Sequence, residues 1–390
     1  MRRSENGTRN TDRRASNRAC RPRVEVMEDR RLLAVFVVGN ANDGGPGSFR
    51  DAIDRANLFP DRDVIEFQID SGPQTIELGS ALAPINFPVL IAGSTQPGFD
   101  PTDPRPIVEI RGPGLDRRLD GLVIEADDTE VRSLVINNFG GNGILVGAES
   151  PAPPANVVIV NNFIGTDPDG DDTGSDVTGL GNGGNGVEIR AAIGLRIEGN
   201  VISGNFLSGV VDAGVETLLI GNIIGLGVSG SILVPNGQHG VVLNGPRATV
   251  GGVTPEARNV ISGNNQDGIQ IGFNSNSNVV EGNFIGVNRN GRNLRGNGTG
   301  IHIISTRGDN RIGGTTPGAR NVISGNFGDG ISIENSSPNN VISGNYIGLN
   351  FDGAGTSSGC DRASAKDFGG NRTILGPREP SVPMTTVRKA

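Results

Sequence analysis

The chain has 390 residues, of which 62 are glycine and only 4% are aromatic, with no tryptophan and one tyrosine. Its length is sufficient for a large core, but abundant glycine and asparagine among valine and isoleucine favour short strands and tight turns over a helical bundle. A net charge of −8 and a pI near 5.0 disfavour a nucleic-acid partner, because phosphate binding requires a basic face. No stretch approaches the roughly 20 apolar residues of a membrane-spanning helix.

Residues 1–35 are polar and rich in arginine, and they run into a short apolar stretch from Leu32 to Val38. They have the basic region of a secretory leader but hardly its apolar segment, so they are predicted to be an export leader or a disordered tail. The segment Val24–Ala34 resembles the short Glu-Pro-Arg-x-Leu-Leu motif near the start of many exported planctomycete proteins, with Asp29 in place of the proline. That resemblance implies a bacterial protein that is secreted or held at the cell surface.

One helix is predicted at Ser48–Asn57. Ser48 and Asp51 have the spacing of a capping box, and the next apolar residues fall on one helical face. Strand-like runs flank the helix at Phe36–Val38 and Val64–Ile69. Because the open end of a solenoid exposes its core and its strand edges, we interpret residues 36–120 as an N-terminal cap with the first coils.

Repeated phrases dominate the chain from residue 121 onwards. Asn-x-Ile-Gly occurs at Asn162, Asn222, Asn283 and Asn345, with spacings of 60, 61 and 62 residues. Asn-Val-Ile-Ser-Gly-Asn begins at Asn200, Asn259, Asn321 and Asn340. Self-similarity at a near-constant period is the signature of a solenoid.

A third pattern divides the solenoid into coils. Glycine followed by an apolar, a variable and an apolar residue recurs at Gly121, Gly143, Gly186, Gly209, Gly240, Gly268, Gly300 and Gly330. The shortest interval, 22 residues, corresponds to one coil, and the excess elsewhere to inserted loops. The two asparagine phrases alternate, so the duplicated unit is two coils. Residues 121–352 are therefore predicted to be parallel β-helix repeats, in which stacked asparagines form hydrogen-bonded ladders with a structural role.

The segment Asn42–Ile53 resembles the capping segment of large secreted bacterial repeat proteins. Gly93–Gly98, Ile312–Asn321 and the two asparagine phrases resemble their repeats. These are right-handed parallel β-helix proteins of the pectate-lyase-like superfamily, and the resemblance covers about residues 36–352. It implies an all-β, right-handed, single-stranded parallel β-helix with a short N-terminal capping helix. It does not imply lyase activity, because that superfamily also includes adhesins and structural proteins.

No catalytic residue is predicted. The middle residue of each triplet points outwards, and this column contains one carboxylate, Glu188, with no basic partner beside it. Glu198 and Glu281 match in position but are three coils apart, about 14 Å at the usual strand spacing, whereas the carboxyl groups of glycosidases lie about 5–9.5 Å apart. No pair of aspartates lies in a coil that matches His239 or His302, since Asp127-Asp128 and Asp171-Asp172 are both interpreted as turns, and His302 is interpreted as a solvated strand residue.

Two kinds of ligand site were weighed. Sugar stacking usually requires tryptophan or tyrosine, and the phenylalanines mostly occupy inward positions, as Tyr346 is also predicted to do. The segment Thr166–Asp176 contains five aspartates, and Asp167, Asp169 and Asp171 are the best candidates to bind calcium, the one cofactor considered. The alternative is a solvated acidic loop.

The repeats stop after Gly353, and residues 353–390 are predicted to be an irregular C-terminal tail. Three functions remain open. The first is a secreted or cell-surface structural or adhesive β-helix without catalysis. The second is a carbohydrate-active enzyme, a polysaccharide lyase or glycoside hydrolase. The third is a calcium-dependent surface assembly module. The expected partners are extracellular polysaccharide or components of the cell envelope.

Overall fold

The computed structural model describes residues 33–148, 152–171, 180–272, 275–304, 307–334 and 339–353, together with the backbone of two later strands. Within these ranges one α-helix, α1, spans Phe49–Ala56, and two short 3-10 helices span Gly93–Thr95 and Pro317–Ala319. The predicted leader lies outside the described residues, except for 33–35.

All other regular structure is strand, numbered β1 to β31 along the chain. The strands are Val35–Val38, Asp63–Phe67, Gln74–Glu77, Val89–Ala92, Val108–Gly114, Leu122–Ile124, Glu130–Arg132, Leu134–Phe139, Ile144–Val146, Val158–Val160, Phe163–Ile164, Val187–Ile189, Arg196–Glu198, Val201–Ile202, Val210–Asp212, Leu218–Ile220, Ile223–Ile224, Val241–Leu243, Thr249–Gly251, Val260–Ile261, Ile269–Ile271, Val279–Glu281, Phe284–Ile285, Ile301–Ile304, Arg311–Gly313, Val322–Ile323, Ile331–Glu334, Val341–Ser343, Tyr346–Ile347, Ala363–Ala365 and Ile374–Leu375.

The described strands form three sheets in which every strand pairing is parallel. Sheet A runs in the order β1-β2-β4-β7-β10-β13-β16-β19-β22-β25-β28-β31. Sheet B runs β3-β5-β8-β11-β14-β17-β20-β23-β26-β29, and sheet C runs β6-β9-β12-β15-β18-β21-β24-β27-β30. From β6 onwards each coil passes through sheets C, A and B in turn. The predicted right-handed parallel β-helix is confirmed.

Helix α1 covers the first strands of sheet A. Ser48 Oγ accepts a hydrogen bond from Asp51 N at 3.2 Å, and Asp51 Oδ2 accepts one from Gly47 N at 3.0 Å, so the cap is reciprocal. The Phe49 ring packs 5.5 Å from the Phe67 ring. The buried face is the predicted one, Phe49, Ala52, Ile53 and Ala56.

The glycine-led triplets form sheet C with the predicted inward and outward register. Val241, Ile269 and Ile301 stack on one another inside the coils, while Gln270 and His302 pair on the outer face. Asp212 is the exception, because it takes an inward position between Ile189 and Leu243. Burial raises its pKa to about 6, although Gly214 N and Thr217 Oγ1 donate hydrogen bonds to Oδ1.

Asparagine ladders bind the coils together at their corners, as predicted. In each ladder a side-chain Nδ2 donates to the Oδ1 of the asparagine in the next coil, for example Asn259 to Asn283 at 2.9 Å. The ladder at the corner between sheets A and B contains Asn162, Asn200, Asn222, Asn259, Asn283, Asn321 and Asn345. The ladder at the corner between sheets B and C contains Asn182, Asn205, Asn236, Asn264, Asn297 and Asn326. A shorter ladder between sheets C and A contains Asn278, Asn310 and Asn340.

A second apolar layer lies outside sheet B, beneath the inserted loops. Phe284 and Tyr346 belong to this layer and not to the core inside the coils, where Tyr346 had been expected. The guanidinium of Arg258 lies 4.2 Å from the centre of the Phe284 ring, and that of Arg320 lies 4.0 Å from the centre of the Tyr346 ring. The arginine of the Thr-Pro-x-Ala-Arg loops therefore packs over this layer.

The segment from 353 to 390 contributes two strands to the stack. Ala363–Ala365 pairs with the last coil in sheet C, and Ile374–Leu375 does so in sheet A. No glycine-led triplet or asparagine phrase marks these strands in the sequence.

Candidate functional site

Three polar residues from different coils meet where the chain enters sheet C. From β12 to β27, each coil approaches this sheet through a short turn that starts at a ladder asparagine and ends at the glycine of the triplet. The residue before that glycine is His239 in one coil and Asp267 in the next, while His302 is the outward middle residue of β24 in the coil after that. We refer to His239, Asp267 and His302 as the histidine cluster.

Asp267 bridges the two histidines. Its Oδ2 lies 3.3 Å from His239 Nδ1 and 3.2 Å from His302 Nδ1. His239 Nδ1 also lies 3.3 Å from Asp267 N, so it accepts from the amide in the tautomer without a proton on Nδ1 and donates to the carboxylate when Nδ1 carries the proton. The other ring nitrogen of His302 is 3.7 Å from Glu334 Oε1, beyond hydrogen-bond distance.

The cluster is electrostatically coupled. Burial alone would raise the pKa of Asp267, but the hydrogen bonds from both histidines and their charges outweigh it and hold that pKa well below the usual carboxyl range. The hydrogen bond to Asp267 raises the pKa of His302 above its ordinary value, against the effect of burial, and Glu334 acts in the same direction. An ionised Asp267 thus stabilises a protonated His302.

The three side chains of the cluster are largely buried and bond to one another. The side chains of Asp267, His239 and His302 are only 11%, 14% and 19% exposed. The Nδ1 atoms of both histidines are paired with Asp267, and these contacts join three successive coils on the outer face of sheet C. A histidine next to a carboxylate can also act as a general acid or base when a substrate reaches it.

The interpretation of His302 as a solvated strand residue is wrong, because its side chain is only 19% exposed and its Nδ1 contacts Asp267. It came from the middle positions of the triplets, whereas Asp267 occupies the position before the glycine. From β15 to β27 that column contains Ser208, His239, Asp267, Thr299 and Asp329. Asp267 contacts His302 because His302 lies in the triplet of the next coil. An alignment of every position of the turn, and not of the triplets alone, would have identified the cluster.

Glu188 is not isolated either. Arg190 Nε donates to its Oε1 at 3.0 Å, and Asn142 Nδ2 donates to its Oε2 at 2.8 Å, which corrects the expectation of a carboxylate without a basic partner. Both partners lie outside the outward column, because Arg190 is two residues further along the chain and Asn142 is in the turn one coil earlier. Glu198 and Glu281 do belong to the same face of sheet A, on β13 and β22, which are three coils apart.

The proposed calcium ligands lie in the first of a series of stacked loops. Asp167 Oδ1 accepts from Gly170 N at 2.9 Å, and the same turn recurs at Gly230, Gly291 and Gly353 without an aspartate at its start. Asp171 Oδ1 accepts from Ser229 N in the next loop at 3.3 Å, while Asp169 is exposed. Asp172 and Asp176 lie outside the described residues. Among those described, no group of three or more acidic, histidine or cysteine side chains is arranged to hold a metal ion.

An open groove runs along the corner between sheets B and C, next to the histidine cluster. Two cavities of about 560 and 590 Å³ adjoin there and share Pro235 and Asn265 in their linings. Side chains of the turns form one wall, including Phe206, Leu207, Gln238, Gln266 and Phe327. The inserted loops form the other wall, with Leu233, Leu294 and Arg295. We call this feature the corner groove.

Phe206 and Phe327 are exceptions to the expectation that the phenylalanines mostly face inwards. They are 71% and 80% exposed, and both directly follow a buried asparagine of the ladder. In the intervening coils the same position is Gly237, Asn265 and Gly298. Their sequence context, Asn-Phe between two apolar runs, was too similar to that of the buried Asn-Phe-Ile phrase to separate them.

In the part of the chain that the structure describes, no helix has the length and apolar character needed to cross a bilayer. No protein-family model and no curated protein matches the chain.

Solved structures do match it. The enzymatically active domain of tailspike protein 2 from bacteriophage CBA120 aligns with a TM-score of 0.50 at 12% identity, over 84% of this chain and 47% of that one. The periplasmic alginate epimerase AlgG gives 0.40 at 13% identity, over 74% and 56% of the two chains. The A-module of the mannuronan C-5 epimerase AlgE4 from Azotobacter vinelandii gives 0.42 at 14%, over 89% and 98%. This chain spans about half the length of the first two. At such identities the likeness concerns architecture alone, and the chain is a right-handed parallel β-helix.

Proposed function

We propose that this chain is a structural or adhesive β-helix that acts outside the cell, secreted or at the cell surface, and holds extracellular polysaccharide without cleaving it. The corner groove is the observation that carries this proposal. It is long, open to solvent and supported by a rigid asparagine ladder, which suits a chain-like ligand better than a compact one. The solved tailspike and epimerase structures bear names that refer to enzymes, two of them to alginate or mannuronan.

The absence of catalysis is part of the proposal. On sheet A, Glu198 and Glu281 are separated by three coils, too far for the paired carboxyl groups of glycosidases. In the histidine cluster, the nitrogens closest to the carboxylate are turned towards Asp267 and are mostly buried. A group that serves as general base must instead reach the proton it removes.

The test is to incubate the purified chain with a panel of neutral and acidic polysaccharides, with and without calcium. We expect at least one polysaccharide to be bound, and we expect neither unsaturated nor new reducing ends to form. A panel without any bound polysaccharide would contradict the adhesive function.

The second candidate is a carbohydrate-active enzyme. The observation that favours it is the position of the histidine cluster, whose His239 and Asp267 directly follow Gln238 and Gln266 of the groove wall. Turnover that disappears in both His302→Ala and Asp267→Asn, while binding is retained, would move the function to this class.

A further inference from the structure

The two exposed phenylalanines stand in one column of the corner groove. Phe206 N donates to Asn182 O at 2.8 Å, and Phe327 N donates to Asn297 O at 2.9 Å. Both residues therefore bond to the ladder asparagine of the preceding coil and have equivalent backbone positions. Four coil steps separate them, through Gly237, Asn265 and Gly298. At the spacing of parallel strands this is about 19 Å along the solenoid axis.

The fold does not require phenylalanine at either position. The same place in neighbouring coils is taken by glycine or asparagine, and an 80% exposed Phe327 ring gains little from burial. A Cβ at Gly237 would lie 2.1 Å from Phe206 O, so the backbone approach there excludes any side chain. Of the three positions between the two rings, only Asn265 carries a side chain.

The lining between the rings combines apolar side chains with amides and contains one charged residue, Arg295. Gln238, Gln266 and Asn265 supply amide donors and acceptors. The one charged lining residue, Arg295, already donates from Nε to Ser231 O at 2.6 Å and from Nη1 to Leu294 O at 2.8 Å. No carboxylate lines either cavity, and the whole chain carries a net charge of −8, which repels a polyanion.

These features together point to one occupant. We propose that the corner groove binds a neutral linear polysaccharide that lies along the solenoid axis, with the apolar faces of its sugar rings against Phe206 and Phe327 and its hydroxyl groups bonded to the amides between them. This inference deepens the proposed function and rests on it. Flat aromatic faces combined with a few placed amides are typical of sites that hold such amphipathic rings.

The experiment is affinity electrophoresis of the full chain in native gels containing galactomannan, xyloglucan or, as the acidic comparison, alginate. The variants are Phe206→Ala, Phe327→Ala and the double variant. Phe59→Ala is the matched control, because Phe59 is 54% exposed but is not among the groove-lining residues. Circular dichroism of each variant checks that the fold is unchanged.

We expect a neutral polysaccharide to retard wild type and Phe59→Ala alike. Each single groove variant should weaken binding about tenfold, the usual loss for a central aromatic contact, and the double variant should weaken it further. An oligosaccharide too short to reach both rings should depend on one phenylalanine only.

Three results would overturn the inference. Retardation by alginate alone would show that the ligand class is wrong. Retention of full affinity for a neutral polysaccharide in the double variant would show that the groove is the wrong site, and would leave the adhesive function standing. The third result is a wild-type dimer that Phe327→Ala abolishes, without any retardation by polysaccharide. It would show that the two phenylalanines form an interface between two copies of the chain.

Discussion

Two corners of the solenoid are each held by an asparagine ladder, but the surfaces outside the two ladders differ. At the corner between sheets A and B, the loop residues Val228 and Arg289 line an open cavity of about 550 Å³ beside the ladder residue Asn200, and the second apolar layer with Phe284 and Tyr346 lies outside sheet B. At the corner between sheets B and C an equally buried ladder has turns outside it that contain Phe206, Phe327, His239 and Asp267, and His302 lies on the adjacent strand β24. Once a ladder fixes the backbone, the residues outside it are free to differ between coils, and this freedom allows a binding surface to arise.

The largest expected effect tests whether the two ladders are equivalent. Asn259→Leu at the A–B corner removes an Oδ1 that accepts from Asn222 N and Nδ2, and an Nδ2 that donates to Leu219 O and Asn283 Oδ1. Since each buried polar group left unpaired costs about 1–3 kcal/mol, we expect a loss of roughly 3–5 kcal/mol in urea unfolding. Asn264→Leu at the B–C corner should cost a similar amount. If Asn264→Leu were nearly neutral, the B–C corner would not be held by its ladder.

The third corner, between sheets C and A, sharpens the comparison, because its ladder begins only at Asn278. In an earlier coil Thr217 bonds to Asp212 instead. The folded-state pKa of Asp212, about 6, lies above the ordinary value of 3.8, so the neutral form stabilises the fold at low pH. That stabilisation is lost as the pH rises from about 4 through 6, by about 3 kcal/mol.

Urea unfolding of wild type and Asp212→Asn at pH 4.5, 5.5 and 7 measures this effect. The difference between the two proteins should grow with pH in favour of the variant, which has no carboxyl group to ionise. The titration of His302 is common to both and cancels. An Asp169→Asn variant, altered at an exposed site, should follow wild type, and a difference that does not change with pH would contradict the raised pKa.

The sequence predicts the parts of the molecule that repeat. The coil boundaries, the inward register of Ile269 and Ile301 and the structural role of Asn283 follow from periodicity, because each coil meets the same neighbours. The histidine cluster and the corner groove were missed because they depend on single substitutions in a repeated turn. Asp267 and Phe327 become meaningful only when residues one or four coils apart are placed side by side.

The smallest expected effect concerns the inserted loop after Gly165, where calcium binding at Asp167, Asp169 and Asp171 remains a prediction. Calcium present at about five times its Kd would stabilise the fold by about 1 kcal/mol. The measurement is a thermal melt in millimolar calcium against chelator, for wild type and Asp169→Ala. We expect a rise in Tm for wild type alone. An equal rise in both proteins, or none in wild type, would leave an acidic loop held by Gly170 and Ser229.

The order of the strands within the described sheets has a consequence for biosynthesis. Along sheets A and C each strand pairs only with the strands of the preceding and following coils, in the order in which they occur in the chain. A coil emerging from the ribosome therefore finds its template already folded, and no strand waits for a partner that has yet to be made. Contacts remain close in sequence however many two-coil units are added, so lengthening the array by duplication should leave the rate of folding per coil almost unchanged.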